Sequence, residues 1–203
     1  MLAVIDYGGG NLGSLLAALE RRNAPFVVTA DPDAVRRARA VILPGDGAFA
    51  ATIEALEERG LDRAIHDAIG AAAPFLGICV GMQILFDASE EFGTTRGLGI
   101  LRGTVARFVD APRVPHMGWN RLERTGDHPF VEGIGGRDYA YFMHSYRVSV
   151  GDETVATATH GERFSAIVAR ENVMGTQFHP EKSQRTGMRL LDNFLRFAKE
   201  KSP

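Results

Sequence analysis

The sequence has a single cysteine, no run of basic residues and no long apolar stretch. Each absence removes a class of protein. One thiol, Cys79, cannot close an internal disulfide, so folding does not depend on oxidation. Lysine and arginine number 23 against 25 aspartates and glutamates, a formal net charge of −2, and no basic patch stands out, which argues against a nucleic-acid partner. No apolar run approaches the roughly 20 residues of a membrane-spanning helix. The N-terminus, MLAVIDYGGG, lacks the basic start and small-residue cleavage site of an export signal and reads as a first strand. No Cys, His and Asp residues share metal-ligand spacing, no P-loop appears, and GGGNLG lacks the full G-x-G-x-x-G pattern. Neither metal nor cofactor is expected, and the default is a cytoplasmic protein.

What is present suits one domain over residues 1–203: 45% of the chain is hydrophobic, enough for a real core. The first half alternates short apolar strands with helices. Strands are expected at LAVID (2–6), FVV (26–28), AVIL (40–43) and PFLGI (74–78). Helices are expected over 12–22, capped by Asn11, after Asp31-Pro32, and at 48–59, 61–71 and 80–88. That alternation implies βαβ units and a mainly parallel sheet buried on both faces. The second half is strand-rich, with TVARFV, YAYFMHSYRVSV, TVATAT, SAIVA and VMGTQF, a hairpin turn at 170–172, and a closing helix at 186–199. The fold class is therefore α/β with an antiparallel flank.

Cys79 lies in FLGICVGMQ (75–83), at a strand-to-helix junction between Gly77 and Gly81. G-x-C-x-G is the thiol form of a nucleophile elbow. Small flanking residues relieve crowding at a sharp turn, and the following helix aims N–H groups and partial positive charge at a thiolate, which favours the nucleophilic form. The Val80 N–H would face an oxyanion formed at an attacked carbonyl. By itself the window also fits a small buried core cysteine. A base is available in TQFHPEKS (176–183), where Glu181 stands two residues after His179 and can accept the imidazole N–H. Alone, His-Pro-Glu also fits a solvated turn. A third element, ILPGDGAF (42–49), runs a strand into Gly45-Asp46-Gly47, where glycines permit close approach or a peptide flip; it also fits an ordinary strand-ending turn.

These three elements in this order resemble the class I (triad) glutamine amidotransferases, across essentially the whole chain. DYGGGNLGSL, PHMGWN (115–120) and YFMHSY (141–146) are further similar to the branch that serves as glutaminase subunits of imidazole glycerol phosphate synthases. The resemblance implies a three-layer, flavodoxin-like fold and a Cys79–His179–Glu181 triad. It implies an oxyanion hole from Val80 and the Gly45–Gly47 loop, and glutamine bound by Gln83, Ser145 and Tyr146. It implies a heterodimer with a (β/α)8-barrel cyclase that receives the ammonia and gates the glutaminase. Asn11, Trp119, Asn120 and Lys182 would lie at that partner's face, although Trp119 also fits a core aromatic and Lys182 a solvated charge. His116 would shape the partner face, His144 would line the glutamine site, and His66, His128 and His160 read as surface residues.

One residue departs from the family pattern. The loop usually reads Pro-Gly-Val-Gly, and Asp46 stands in the Val position; its carboxylate is expected to point outward, away from a nascent oxyanion. Three rivals stay open on sequence alone: a stand-alone cysteine hydrolase, a non-enzymatic subunit on the same scaffold, and the glutaminase of another pathway.

Overall fold

The computed structural model describes residues 1–9 and 12–201. Asn11, read as a helix cap and partner-facing residue, lies outside the described residues.

Four short apolar runs form β1 (Leu2–Ile5), β2 (Phe26–Thr29), β3 (Ala40–Leu43) and β4 (Phe75–Ile78). Between them lie α1 (Gly13–Glu20), α2 (Pro32–Arg36), α3 (Phe49–Glu58) and α4 (Leu61–Gly70), and β4 runs straight into the four-residue α5 (Val80–Gln83). Asp31 caps α2, its side chain accepting from the Asp33 N–H. The second half adds β5 (Ala88–Ser89), β6 (Thr95–Arg96), β7 (Thr104–Arg107), β8 (His116–Arg121) and β9 (Glu123–Arg124). It continues with β10 (Tyr139–His144), β11 (Tyr146–Val148), β12 (Thr154–His160), β13 (Glu162–Arg170) and β14 (Val173–Thr176), and closes on α6 (Gln184–Glu200).

The main sheet runs β2-β1-β3-β4-β14-β13-β12-β9. Its first five strands are parallel, in the order of flavodoxin-like doubly wound sheets, and the last three pairings are antiparallel. Every residue of β1, β3, β4 and β14 is buried, as expected of strands covered on both faces. The chain moves one way along the sheet from β1 to β2 and back the other way to β3 and β4. Right-handed crossovers then set α1 on one face and α2 to α4 on the other. The contacts agree: α2 and α3 pack on α4, while Arg22, just past α1, pairs with Asp192 of α6.

Three expectations need correction. The helix at 80–88 ends at Gln83, because the carbonyls of Ile84, Leu85 and Phe86 accept hydrogen bonds from the backbone N–H groups of Leu98, Ile100 and Gly99 instead of from the next turn. The run YAYFMHSYRVSV is two strands: β10 pairs with β8 up to His144, and β11 pairs with β7 from Tyr146. The helix expected from residue 12 begins at Gly13, with no side-chain cap at Leu12.

The topology places the site. β3, β4 and β14 are adjacent and parallel, with Leu43 beside Gly77 and Thr176 beside Ile78. Their carboxyl ends deliver Gly45–Gly47, Cys79 and His179 to one edge of the sheet, where doubly wound folds build their sites.

Candidate active site

Cys79 has φ 55° and ψ −114°, a backbone conformation that L-residues adopt only under strain. Hydrogen bonds hold it there: its N–H donates to the Thr176 carbonyl at 2.8 Å, and its carbonyl accepts from Met82 and Gln83 at 3.0 and 3.1 Å. The flanking glycines leave no room for a side chain. A Cβ on Gly77 would sit 2.3 Å from the Gly81 carbonyl oxygen, and one on Gly81 would sit 2.1 Å from that of Leu43. A Cβ on Gly45 would meet the Gly81 amide nitrogen at 2.6 Å, so the Pro44-Gly45 turn packs directly on the elbow.

His179 follows β14 and Phe178 into a 3-10 turn over Pro180–Lys182. Its Nδ1 lies 2.9 Å from Glu181 Oε1, with both side chains about 5% exposed or less. Ser183 Oγ donates to the His179 carbonyl at 2.7 Å and accepts from the Tyr141 N–H at 3.0 Å, tying the turn to β10. Burial disfavours the imidazolium, but hydrogen bonding and charge from Cys79 and Glu181 outweigh it and raise the His179 pKa to about 10. At neutral pH His179 is thus an imidazolium. His179 Nε2 is buried with no hydrogen-bond partner, which leaves that nitrogen available for proton transfer.

Asp46 does not point outward. Its Oδ1 lies 3.5 Å from His179 Nε2, where the imidazolium attracts the carboxylate. Gly47, with φ +115°, is the exposed hinge of this loop. A carboxylate at that position neutralises the imidazolium and opposes negative charge on a nearby oxygen. Asp46→Asn is expected to raise the glutaminase rate of the isolated chain roughly three- to tenfold, the scale of one unfavourable ionic contact. A steady-state assay showing an unchanged or lower rate would contradict that role.

A cavity of about 460 Å³ opens beside Cys79, lined by Asp46, Gly47, Val80, Gln83, Ser145 and Tyr146 among others. The structure thus brings the expected oxyanion and glutamine-binding residues, apart from Gly45, to one cavity beside the sulfur. Gln83 is buried, and its Nε2 donates to the Tyr146 carbonyl and to Gln177 Oε1, each at 3.0 Å. Gln177 was missed as a site residue. It is fully buried with Nε2 3.9 Å from the Cys79 sulfur, and its only signal was a polar residue inside the apolar run VMGTQF. Tyr7 was also missed; it is buried beside Thr52 and the Asp46 backbone, and burial raises its hydroxyl above the usual range.

The other expected residues lie elsewhere. Trp119 is 49% exposed on β8, which removes the core-aromatic alternative, with Tyr141 edge-on at 6.0 Å. Met117, Tyr139 and Met143 are exposed on the same β8–β10 ribbon. Asn120, on β8, and Lys182, in the turn after His179, are half-buried. His160, expected at the surface, instead stacks on His116 at 4.2 Å within an aromatic cluster. Among the described residues, no group of three or more His, Cys, Asp or Glu is placed to hold a metal ion, and no helix is long and apolar enough to cross a membrane.

Comparison with known proteins places this geometry. The family model for glutamine amidotransferase class-I matches residues 3–197. The imidazole glycerol phosphate synthase subunit HisH of Salinibacter ruber is 48% identical, over 96% of this chain and 93% of its own. HisH of Dehalococcoides mccartyi is 46% identical over 98% of both. Among solved structures, a crystal structure of a glutamine amidotransferase aligns over 97% of this chain and 98% of its own, with a TM-score of 0.76 at 21% identity. PurLQS from Thermotoga maritima aligns with a TM-score of 0.72 at 21% identity, over 97% of both chains. The chain belongs to the class I glutamine amidotransferase family and, within it, to the glutamine-hydrolysing HisH subunits of imidazole glycerol phosphate synthase.

Proposed function

We propose that Cys79, His179 and Glu181 hydrolyse glutamine to glutamate and ammonia for histidine biosynthesis, as a single amidotransferase domain over residues 1–203. The observation that carries the assignment of roles is the buried Nδ1–Oε1 contact of 2.9 Å, which orients the imidazole and leaves His179 Nε2 with no hydrogen bond, 3.5 Å from the Asp46 carboxylate. The Cys79 thiolate attacks the side-chain carboxamide carbon. The Val80 N–H and an amide of the Gly45-Asp46-Gly47 loop stabilise the oxyanion. His179 gives its Nε2 proton to the departing ammonia, leaving a γ-glutamyl thioester on Cys79. The now neutral imidazole takes a proton from water, which attacks the thioester and releases glutamate. Glu181 fixes the imidazole tautomer and stabilises its charged form. Gln83 binds the glutamine just past the elbow, and Ser145 and Tyr146 hold its α-amino and carboxylate groups.

The partner in this reading is a (β/α)8-barrel cyclase subunit, in a heterodimer. It takes ammonia directly and makes imidazole glycerol phosphate and aminoimidazole carboxamide ribotide. Trp119 and Asn120 face it, and the exposed apolar side chains of the β8–β10 ribbon support that assignment; Asn11 and Lys182 are assigned to the same face by the family resemblance alone. The test is glutamate release from glutamine, by the chain alone and then with the cyclase and its ribotide substrate. Low activity alone and strong stimulation with both is the expected result. Equal rates under both conditions would contradict the partner and its gating.

A further inference from the structure

Three histidines outside the triad meet beneath the β8–β10 ribbon. His116 and His144 are cross-strand neighbours, and both are buried. His160 of β12 stacks on His116, and Phe108, Phe142 and Phe164 close around them. The hydrogen bonds here admit one direction. The Tyr146 carbonyl can only accept, and it lies 2.8 Å from His144 Nδ1, so that nitrogen carries the proton. In the neutral ring Nε2 is then bare, and it accepts from His116 Nδ1 at 2.9 Å. His116 Nε2 is bare in turn and accepts from Asn120 Nδ2 at 3.1 Å. Burial above all keeps both rings neutral, lowering His116 to about 4 and His144 to about 3.

The line does not stop at Tyr146. Its carbonyl also accepts from Gln83 Nε2 at 3.0 Å, Gln83 donates as well to Gln177 Oε1, and Gln177 Nε2 lies 3.9 Å from the Cys79 sulfur. One end is Asn120, next to exposed Trp119 on the ribbon; the other is the wall of the nucleophile's cavity. An apolar cluster walled by three phenylalanines gains nothing from two buried imidazoles that packing alone would explain, since burying polar rings costs free energy unless their hydrogen bonds are made.

We propose that Asn120, His116 and His144 form a positioning relay that holds the Tyr146 carbonyl and Gln83 in place for glutamine and carries displacements of the β8–β10 ribbon to them. This rests on the glutaminase reading above. None of the three touches the reacting atoms in this scheme; they act through Tyr146 and Gln83. The relay differs from simple packing in what it predicts, because every member is replaceable in shape but not in bonding.

The test is glutamine turnover by the full chain at saturating cyclase partner, comparing wild type with Asn120→Ala, His144→Phe and the double variant. Each single change is expected to raise the glutamine KM and lower kcat/KM roughly tenfold, the scale of one lost buried hydrogen bond. The double variant should be no worse than the worse single, since both cut one line. His144→Asn, whose carboxamide can still donate to the Tyr146 carbonyl, should recover part of the KM. A wild-type KM in His144→Phe, or losses that simply add, would overturn the relay. Nitrogen-15 NMR of the wild-type full chain tests it even if His144→Phe does not fold. Nδ1–H tautomers at both rings support the relay, and an Nε2–H tautomer at either overturns it. Glutamine hydrolysis surviving in Cys79→Ala would instead overturn the glutaminase site, whatever the tautomers.

Discussion

Cys79→Ala is expected to lower glutamine hydrolysis by on the order of 10⁴-fold or more, and Cys79→Gly to lower it equally while melting at a higher temperature than the alanine variant. The rate follows from chemistry: neither residue can form a thioester. The order of stabilities follows from the backbone. At an ordinary position glycine is less stable than alanine by roughly 0.5–1 kcal/mol, because it loses more freedom on folding. At φ 55° and ψ −114° any Cβ is strained, by about 1–3 kcal/mol, and glycine alone escapes that cost. The sign therefore reverses, by up to about 2.5 kcal/mol. For a chain of this size each kcal/mol moves the melting temperature by roughly 2–4 °C. Differential scanning calorimetry of the two variants reads it directly. An alanine variant as stable as the glycine one would mean that the elbow is relaxed.

Glu181→Ala is expected to reduce kcat/KM by roughly 10²–10³-fold, the range of a disabled general acid–base pair. It should also pull the alkaline limb of the pH profile to lower pH. Burial opposes the charge on His179, and the hydrogen bonds and charges of Cys79 and Glu181 overcome it to reach about 10. Removing Glu181 removes one of the two supports, so the imidazolium, which exists below its pKa, is lost sooner on raising pH. Glu181→Gln keeps an acceptor for Nδ1 without the charge and should fall between. The same shift carries a stability sign. A histidine whose folded pKa is raised contributes stability in full below its unfolded value near 6.5, and that contribution is lost as pH rises through about 10. Pre-steady-state and steady-state pH profiles of the three proteins check the rate; coincident alkaline limbs would contradict the assigned role of Glu181.

The parts of the site that could be read from the sequence are those that sit at strand ends. AVIL, PFLGI and VMGTQF are apolar runs with turn residues after them, and each carries a chemical group at the point where it stops. The βαβ alternation implies parallel pairing of β3 and β4 but does not reach β14, which follows a hairpin in the strand-rich second half; its parallel pairing with β4 is what brings His179 to the edge that holds Cys79. What could not be read depends on contacts between distant segments. The early end of α5 comes from residues 98–100 capturing the carbonyls of Ile84, Leu85 and Phe86 just beyond it. The break at Ser145 is a change of sheet inside an unbroken alternating run, which periodicity does not reveal. Gln177 and His160 look like ordinary strand residues until Cys79 and His116 are placed against them. Asp46 was visible as a departure from the family pattern, but the direction of its side chain depends on where His179, from a distant segment, is placed.

The most direct measurement is the mass of the intact chain, mixed with glutamine in the presence of its cyclase partner and quenched in acid during turnover. A thioester mechanism predicts a fraction of the chain heavier by one γ-glutamyl group, mapped by peptide analysis to Cys79 and absent in Cys79→Ala. Turnover without any such adduct, or an adduct at a residue other than Cys79, would contradict it.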